Sequence, residues 1–519
     1  MSEKKSRIKP VSFIIMLLGL GISIWTVIEI MRSLLLSSTV KYVAVGALCA
    51  INLICLLIAL FAKHKWPQVI LSLLALLISG TGVFALTKVN SAIDYVNNIF
   101  TTMPETTDHS VYLLANPDYL NNEEIDYRDI MVGMLEEYVT CDMAPVYQNI
   151  YDRGTSLSVL TYETIPSIVS QYSFNSKGGY SQLGAMIMPD ELIETISDSY
   201  PNGSILSSTT IKHQYTEEIP TDLPVASNKD ITKDTFTVLI GGNDARGLKN
   251  DEDFMNRTDI SILLTFNPTT HKLLVTVLPY DLEVTVDDKI DRLNYVSLYS
   301  INNWQTAVSE LLDTPIDYYA RVNYSSVAKL IDAIGGIEIE NEQAFPSYQE
   351  VKTAEGWTKP QYYFDKGKIT LDGNQALVYA REFYHLNKGY ESHWDIQKSI
   401  YKAIKNKLSE TAFNISFESF SDVMDITKKY DSIVTNLKSI ADSMNKSVAT
   451  NIDAKKFIGY MINSSLDPST LWSIEIQKLP ALYNSVACYS TNNTEVFAGT
   501  VNPEALQTAI EKIHSLTKK

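Results

Sequence analysis

Three apolar runs, residues 11–31, 43–62 and 69–87, crowd the first 90 positions of this 519-residue chain. Each approaches the roughly 20 residues that an α-helix needs to cross a bilayer. Glu29 is the one charged residue inside them, and it lies near an end. A single such run would read equally as a signal peptide or a buried core helix. Three in succession, with no small-residue cleavage pattern, are expected to be transmembrane helices. Lys4, Lys5, Arg7 and Lys9 precede the first run, and Lys63 and Lys65 stand between the second and third, against Arg32, Lys41 and Lys88 on the other side. The positive-inside bias then predicts a plasma-membrane protein with a cytoplasmic N-terminus and everything beyond about residue 90 outside.

Charge divides at the same point. Residues 1–100 hold nine basic and three acidic side chains, whereas 101–519 hold 34 basic and 57 acidic ones, so a basic segment precedes a strongly acidic body in a chain of net charge −17. An acidic body speaks against nucleic acid as a partner, because neutralising phosphates takes a surplus of Lys and Arg. Any phosphate ligand must be met by a local basic cluster. Hydrophobic residues make up 45% and charged ones 20% of the chain, which fits folded protein rather than disorder.

Several routes to chemistry are closed. Cys49 and Cys55 lie in the second apolar run, and Cys141 and Cys488 either pair or stay as two free thiols. The seven histidines show no zinc-ligand spacing, and neither a Gly-x-Ser-x-Gly elbow nor a Gly-Lys-Ser/Thr phosphate loop occurs. The chain divides into a membrane region 1–90, an extracytoplasmic accessory domain and linker 91–230, and a main domain 231–519. In the accessory part, 111–115 and 157–160 read as strands, 130–138 and 190–199 as helices, and polar 217–229 as the linker.

The main domain opens with a β-rich run at 235–240 that meets Gly241-Gly242-Asn243-Asp244-Ala245-Arg246-Gly247, a turn whose backbone lets an anion or a metal come close. Asn256-Arg257-Thr258-Asp259 leads into a strand at 260–266, and a strand at 272–278 ends in Leu278-Pro279-Tyr280-Asp281. Charged residues at the ends of adjacent strands mark the usual ligand crevice of α/β sheets. Two such carboxylates could hold a divalent ion between them, and Mg2+ suits such a place because it takes oxygen ligands and is often completed by phosphate. Surface turn charges are the equal alternative on spacing alone. Further on, 304–312 and 325–334 read as helices, the second closed by Gly335-Gly336 before a strand at 337–339, giving a β-α-β unit. A helix at 395–408 repeats Ile396, Ile400, Ile404 and Leu408 as a core face.

The order of these motifs resembles the LytR-CpsA-Psr family of cell-envelope proteins, in particular its three-helix, capsule-associated members. The resemblance rests on Asp244-Ala245-Arg246-Gly247, Arg257-Thr258-Asp259, Leu278-Pro279-Tyr280-Asp281, Ile316-Asp317-Tyr318-Tyr319, Ile334-Gly335-Gly336-Ile337, and Leu371-Asp372-Gly373 through Arg381. It implies an α/β/α fold with a mixed sheet, a hydrophobic groove for a polyprenyl chain and a charged mouth for its pyrophosphate. The activity it implies is phosphotransfer of a glycopolymer, such as teichoic acid or capsule, from a polyprenyl-pyrophosphate carrier to peptidoglycan. In that reading Asp244 and Asp259 hold Mg2+, Arg257 and Arg381 bind pyrophosphate oxygens and act in catalysis with Asp259, Arg246 and Gln397 add substrate contacts, and Asp281 supports a loop.

The chain departs from the family pattern where it has Tyr280 in place of an arginine and Phe383 in place of a second arginine near Arg381. Around Gln397, Ser392, Trp394 and Asp395 stand where further arginines are expected. Arg292, His385, Lys388 and His393 are the nearby candidates to compensate. Two functions are therefore carried forward: an active transferase, and a non-catalytic polyprenyl-phosphate-binding or regulatory protein with a thinned arginine cluster.

Overall fold

The computed structural model describes chiefly residues 21–31, 38–61, 91–115, 131–135, 158–162, 165–172, 183–189, 210–243, 257–347, 362–382, 398–404, 438–466, 472–491 and 494–517, with a few shorter pieces and excepting single positions. Two compact units make up the chain, one formed by 1–100, 328–446 and 453–472, the other by 101–327, 447–452 and 473–519.

In the first unit, residues 21–31 are helical and the helix Ser38–Phe61 contains most of the second apolar run. The third run lies outside the described residues. Among the described residues no helix is long and apolar enough to cross a membrane; in Ser38–Phe61, side chains are described only between 41 and 54. The helix Tyr324–Ala333, which begins at the unit boundary, ends where expected: Gly335 and Gly336 adopt φ of 81° and 83°, and their N–H groups return to Asp332 and Ile331. This is the left-handed helix end that glycine accepts without a Cβ penalty. The following strand, Ile337–Asn341, pairs with Gly367–Leu371 in a separate two-stranded ribbon, so the expected β-α-β unit does not close within one sheet. Ile396 and Ile400 are buried as their spacing predicts, Ile404 is half-buried, and Leu408 lies outside the described residues.

The second unit holds two sheets. The accessory sheet has the order β3 (Ser158–Tyr162), β2 (Met131–Leu135), β4 (Ala185–Pro189), β1 (Thr106–Ala115) and β5 (Thr210–Pro220), with helix α1 (Ile165–Tyr172) against it. Strand β2 overturns the expected helix over 130–138. Met131–Leu135 is a short apolar run with both faces buried, and such a run carries no periodicity that separates strand from helix. The expected linker is also shorter than 217–229, because 217–220 complete β5, whose polar side chains sit on a sheet edge beside β1. Residues 190–192 and 194–199 of the second expected helix lie outside the described residues.

The main sheet is mixed. Beyond a two-residue strand, Phe100–Thr101, at its edge, its strands run in the order β12 (Val448–Thr450), β11 (Tyr318–Asn323), β6 (Phe236–Asn243), β7 (Thr258–Asn267), β8 (Lys272–Leu278) and β13 (Ser473–Lys478). β6, β7 and β8 are antiparallel neighbours, β11 lies parallel to β6, and β13 parallel to β8. Alternation assigns each residue to a face. One face is closed by helices α2 (Leu293–Tyr299), α3 (Ile301–Leu311) and α4 (Pro503–Thr517), which bury Leu239, Leu263, Leu274, Trp304, Val308 and Ile513 in one cluster. Gly241 is required there, since a Cβ on it would stand 2.9 Å from Cη2 of Trp304. The other face carries Phe236, Val238, Phe266, Val277, Tyr318 and Ala320, which are buried, and Ile240, Ile260, Ile262, Leu264, Leu273, Val275 and Val322, which are aliphatic and half-buried, with Ile474 and Ile476 exposed at its edge. A β-hairpin, β9 (Glu283–Val286) and β10 (Lys289–Arg292), turns through Asp287 and Asp288, both at positive φ, and feeds directly into α2.

Candidate active site

The charged centre forms at the start of β7. The pairing of β7 with β6 shifts between Thr258 and Ile260, so Asp259 is the extra residue of a bulge. A bulge re-aims side chains at a strand end, and here it lets Asp259 meet Arg257 two positions away. Arg257 Nε donates to Asp259 Oδ1 at 2.8 Å and Nη2 to Oδ2 at 3.2 Å, a forked pair. The Arg257 side chain is 6% exposed and that of Asp259 15%. Two parallel charge-assisted hydrogen bonds fix the guanidinium plane as well as its place.

Tyr295 of α2 completes the cluster. Its hydroxyl accepts from Arg257 Nη1 at 3.4 Å, the Arg257 guanidinium carbon lies 5.6 Å from the ring centroid, and that of Arg292 lies 4.3 Å from it. One aromatic ring thus brings two arginines together, its electron-rich face offsetting charge that would otherwise repel. Beneath this cluster the helix-covered face of the sheet is polar rather than aliphatic. Thr258, Asn243 and Asn323 are buried in one row, with Thr258 Oγ1 donating to Ser297 Oγ at 2.7 Å. The next row sets Ser261, Gly241 and Arg321 side by side under Trp304, whose Nε1 donates to Ser261 at 3.2 Å. Arg321 is fully buried, its guanidinium carbon 5.3 Å from the Trp304 ring centroid.

The expected site residues fall into three groups. Arg257 and Asp259 are brought into direct contact. Arg381, half-buried at the C-cap of the helix Gly373–Ala380, belongs to the other unit; that helix begins with a capping box between Asp372 and Gln375. Asp244, Arg246 and Gln397 lie outside the described residues, as do Phe383, His385, Lys388 and His393. Asp281 is buried and accepts from the Tyr483 hydroxyl at 3.3 Å, in keeping with a loop-supporting part. Asp317 of the Ile316-Asp317-Tyr318-Tyr319 motif is structural: it accepts from Thr237 N–H at 2.9 Å and Lys229 Nζ at 2.8 Å. Sequence reasoning missed Tyr295 and Arg321, although a lone arginine among the apolar residues of a buried strand was a usable signal for the latter.

Among the described residues no three His, Cys, Asp or Glu side chains are grouped to hold a metal ion. Asp259 nevertheless fits a cation of the magnesium kind. Each carboxylate oxygen that accepts from Arg257 keeps a second lone pair, the side chain retains some exposure, and such ions are commonly bound through one or two carboxylates plus phosphate oxygens.

Residues 203–502 match the LytR_cpsA_psr family. The polyisoprenyl-teichoic acid–peptidoglycan teichoic acid transferase TagU of Oceanobacillus iheyensis is 28% identical over 273 residues, covering 51% of this chain and 73% of that protein. Its Bacillus subtilis namesake is 32% identical over 221 residues, covering 42% of this chain and 63% of the relative. Among solved structures, Bacillus subtilis TagU aligns over 55% of this chain and 98% of its own at 23% identity with a TM-score of 0.35. TagT bound to LI-WTA aligns over 56% and 94% at 19% identity with a TM-score of 0.37.

Proposed function

Because this chain belongs to the LytR-CpsA-Psr family, we propose that it is a phosphotransferase that moves a glycopolymer, of the teichoic-acid or capsule kind, from a polyprenyl-pyrophosphate carrier onto peptidoglycan. The observation that carries the reading is the buried Arg257, forked onto Asp259 and sharing Tyr295 with Arg292, at the end of a sheet whose other face carries a half-buried aliphatic stretch. A pyrophosphate with an isoprenoid tail needs both parts, cations for the head and a dry aliphatic surface for the chain.

Arg257 and Arg292 bind pyrophosphate oxygens, each charged hydrogen bond contributing about 1.5–3 kcal/mol. Arg292 supplies the second guanidinium that Tyr280 does not. Arg246 adds a further head-group contact. Asp244 and Asp259 would hold Mg2+, which would neutralise charge that builds on the phosphoryl oxygens. The acceptor oxygen bonds to phosphorus as the P–O bond to polyprenyl phosphate breaks and the hydroxyl proton passes to the departing phosphate, and the arginines favour the charge of that transition state over the ground state. The isoprenoid chain lies along Ile260, Ile262, Leu264 and Val275. The apolar runs near the N-terminus anchor the chain in the plasma membrane, with both sheets on the outer side, where lipid carrier and peptidoglycan are met. This is the three-helix, capsule-associated arrangement.

The test is transfer of a radiolabelled polyprenyl-pyrophosphate glycan to peptidoglycan by the purified full chain. Magnesium-dependent product, lost in Arg257→Ala, supports the reading. Tight lipid binding with no product supports the non-catalytic alternative, which the replacement of family arginines by Tyr280 and Phe383 keeps open.

A further inference from the structure

The connection from β8 to α2 carries Arg292, and two of its carboxylates are buried, Asp281 and Asp291. Both are held by the last part of the chain. Asp291 accepts from Ser490 N–H at 2.9 Å and from Ser490 Oγ at 2.7 Å, across 199 positions. Asp281 accepts from the Tyr483 hydroxyl at 3.3 Å, while its backbone carbonyl accepts from Gly499 N–H at 2.9 Å. Tyr483 and Gly499 sit in the hairpin of β14 (Ala481–Cys488) and β15 (Thr494–Val501), and Ser490 sits in the turn that joins them. Lys289 adds a third hold, its Nζ 3.9 Å from the centroid of the Tyr489 ring. One hairpin therefore grips the connection at both ends.

The grip bears on the site through a single residue. Arg292 follows Asp291 directly, caps the N-terminus of α2 and lies over Tyr295 beside Arg257. Its Nε is buried with no hydrogen-bond partner among the described residues. Placing a carboxylate where water cannot reach it is costly unless donors compensate. Asp291 accepts from Ser490 N–H and Oγ and from the Arg292 N–H at 2.7 Å, and a packed aliphatic residue would stabilise the same place more simply.

We infer that the C-terminal hairpin is a positioning element of the site: Ser490, acting through Asp291, sets where Arg292 stands over Tyr295 next to Arg257, while Tyr483 and Gly499 fix the other end of the connection at Asp281. Ser490 touches no substrate. The inference rests on the reading of Arg257 and Arg292 as pyrophosphate ligands, and adds that the hairpin tunes head-group affinity without contributing a ligand.

A double-mutant cycle tests it. The full chain in detergent micelles, with Ser490→Ala, Arg292→Gln and the two combined, is titrated with geranylgeranyl pyrophosphate by calorimetry, and Tm is recorded for each. Ser490→Ala is expected to weaken binding about three- to tenfold in the parent background and to add nothing once Arg292 is replaced. Any loss of Tm is expected to be the same in both backgrounds, which separates positioning from general weakening. Equal losses of affinity in both backgrounds, or no loss in either, overturn the inference alone. A parent chain that does not bind geranylgeranyl pyrophosphate overturns the functional reading and the inference with it. Tyr483→Phe serves as a second, milder arm: a loss of affinity that survives replacement of Arg292 counts against the positioning route.

Discussion

The two faces of the main sheet come from the same strands and differ only by the side to which alternate residues point, yet they are built for different purposes. On one, α2, α3 and α4 close over Leu239, Leu263, Leu274 and Trp304, and the strand ends beneath Arg257 are polar, with Thr258 bonded to Ser297 and Trp304 to Ser261. On the other, Ile240, Ile260, Ile262, Leu264, Leu273 and Val275 remain half-buried. Closing a face stabilises the fold, whereas leaving an aliphatic face partly open forgoes burial worth about 25 cal/mol per Å². In the proposed reading, the half-buried aliphatic stretch of the second face is where the isoprenoid tail lies.

Substitutions separate the two faces, and the largest effect belongs to the closed one. Trp304→Ala removes the residue that covers Gly241, Ser261 and Arg321, and should cost about 3–5 kcal/mol of stability, read from the denaturant midpoint. Gly241→Ala drives a Cβ to 2.9 Å from that indole and should cost about 1–3 kcal/mol by overpacking, with Trp304→Leu restoring part of the loss. On the other face, Ile262→Ala should cost about 1 kcal/mol or less, because the side chain is only partly buried, while weakening binding of geranylgeranyl pyrophosphate severalfold. A stability loss for Ile262→Ala as large as that for Trp304→Ala would erase the distinction between the faces. The smallest effect concerns Cys488, which packs near Asp291. Burial, with the nearby Asp291 charge adding to it, pushes its thiol up to about 11. Peptide-resolved labelling with iodoacetamide at mildly alkaline pH should therefore leave Cys488 unmodified in the folded chain and modify it after denaturation.

Much of the sheet was legible from short-range pattern. Lys272–Leu278 is bounded by an Asn-Pro turn and a proline, and its observed limits match the expected ones. The helix end at Gly335-Gly336 follows from backbone freedom alone. Failures came where local pattern is ambiguous or where contacts are distant. Met131–Leu135 is apolar on both faces and has no period to read, and the charged residues of 217–220 looked like a linker although they sit in an edge strand. Arg257 and Asp259 were visible as a motif, but the bulge that turns them together depends on how β7 pairs with β6. Tyr295 lies 38 positions from Arg257 and Ser490 lies 199 from Asp291, separations at which no spacing rule operates.

The most direct test of the account asks where the isoprenoid chain lies. A polyprenyl pyrophosphate bearing a benzophenone on its tail would be photolysed with the full chain, and the modified peptides mapped by mass spectrometry. Labelling of peptides that contain Ile262, Leu264 and Val275, competed by geranylgeranyl pyrophosphate and reduced in Arg257→Ala, is the predicted result. Labelling confined to the accessory sheet, or labelling of the open face that neither competitor nor Arg257→Ala diminishes, would contradict it.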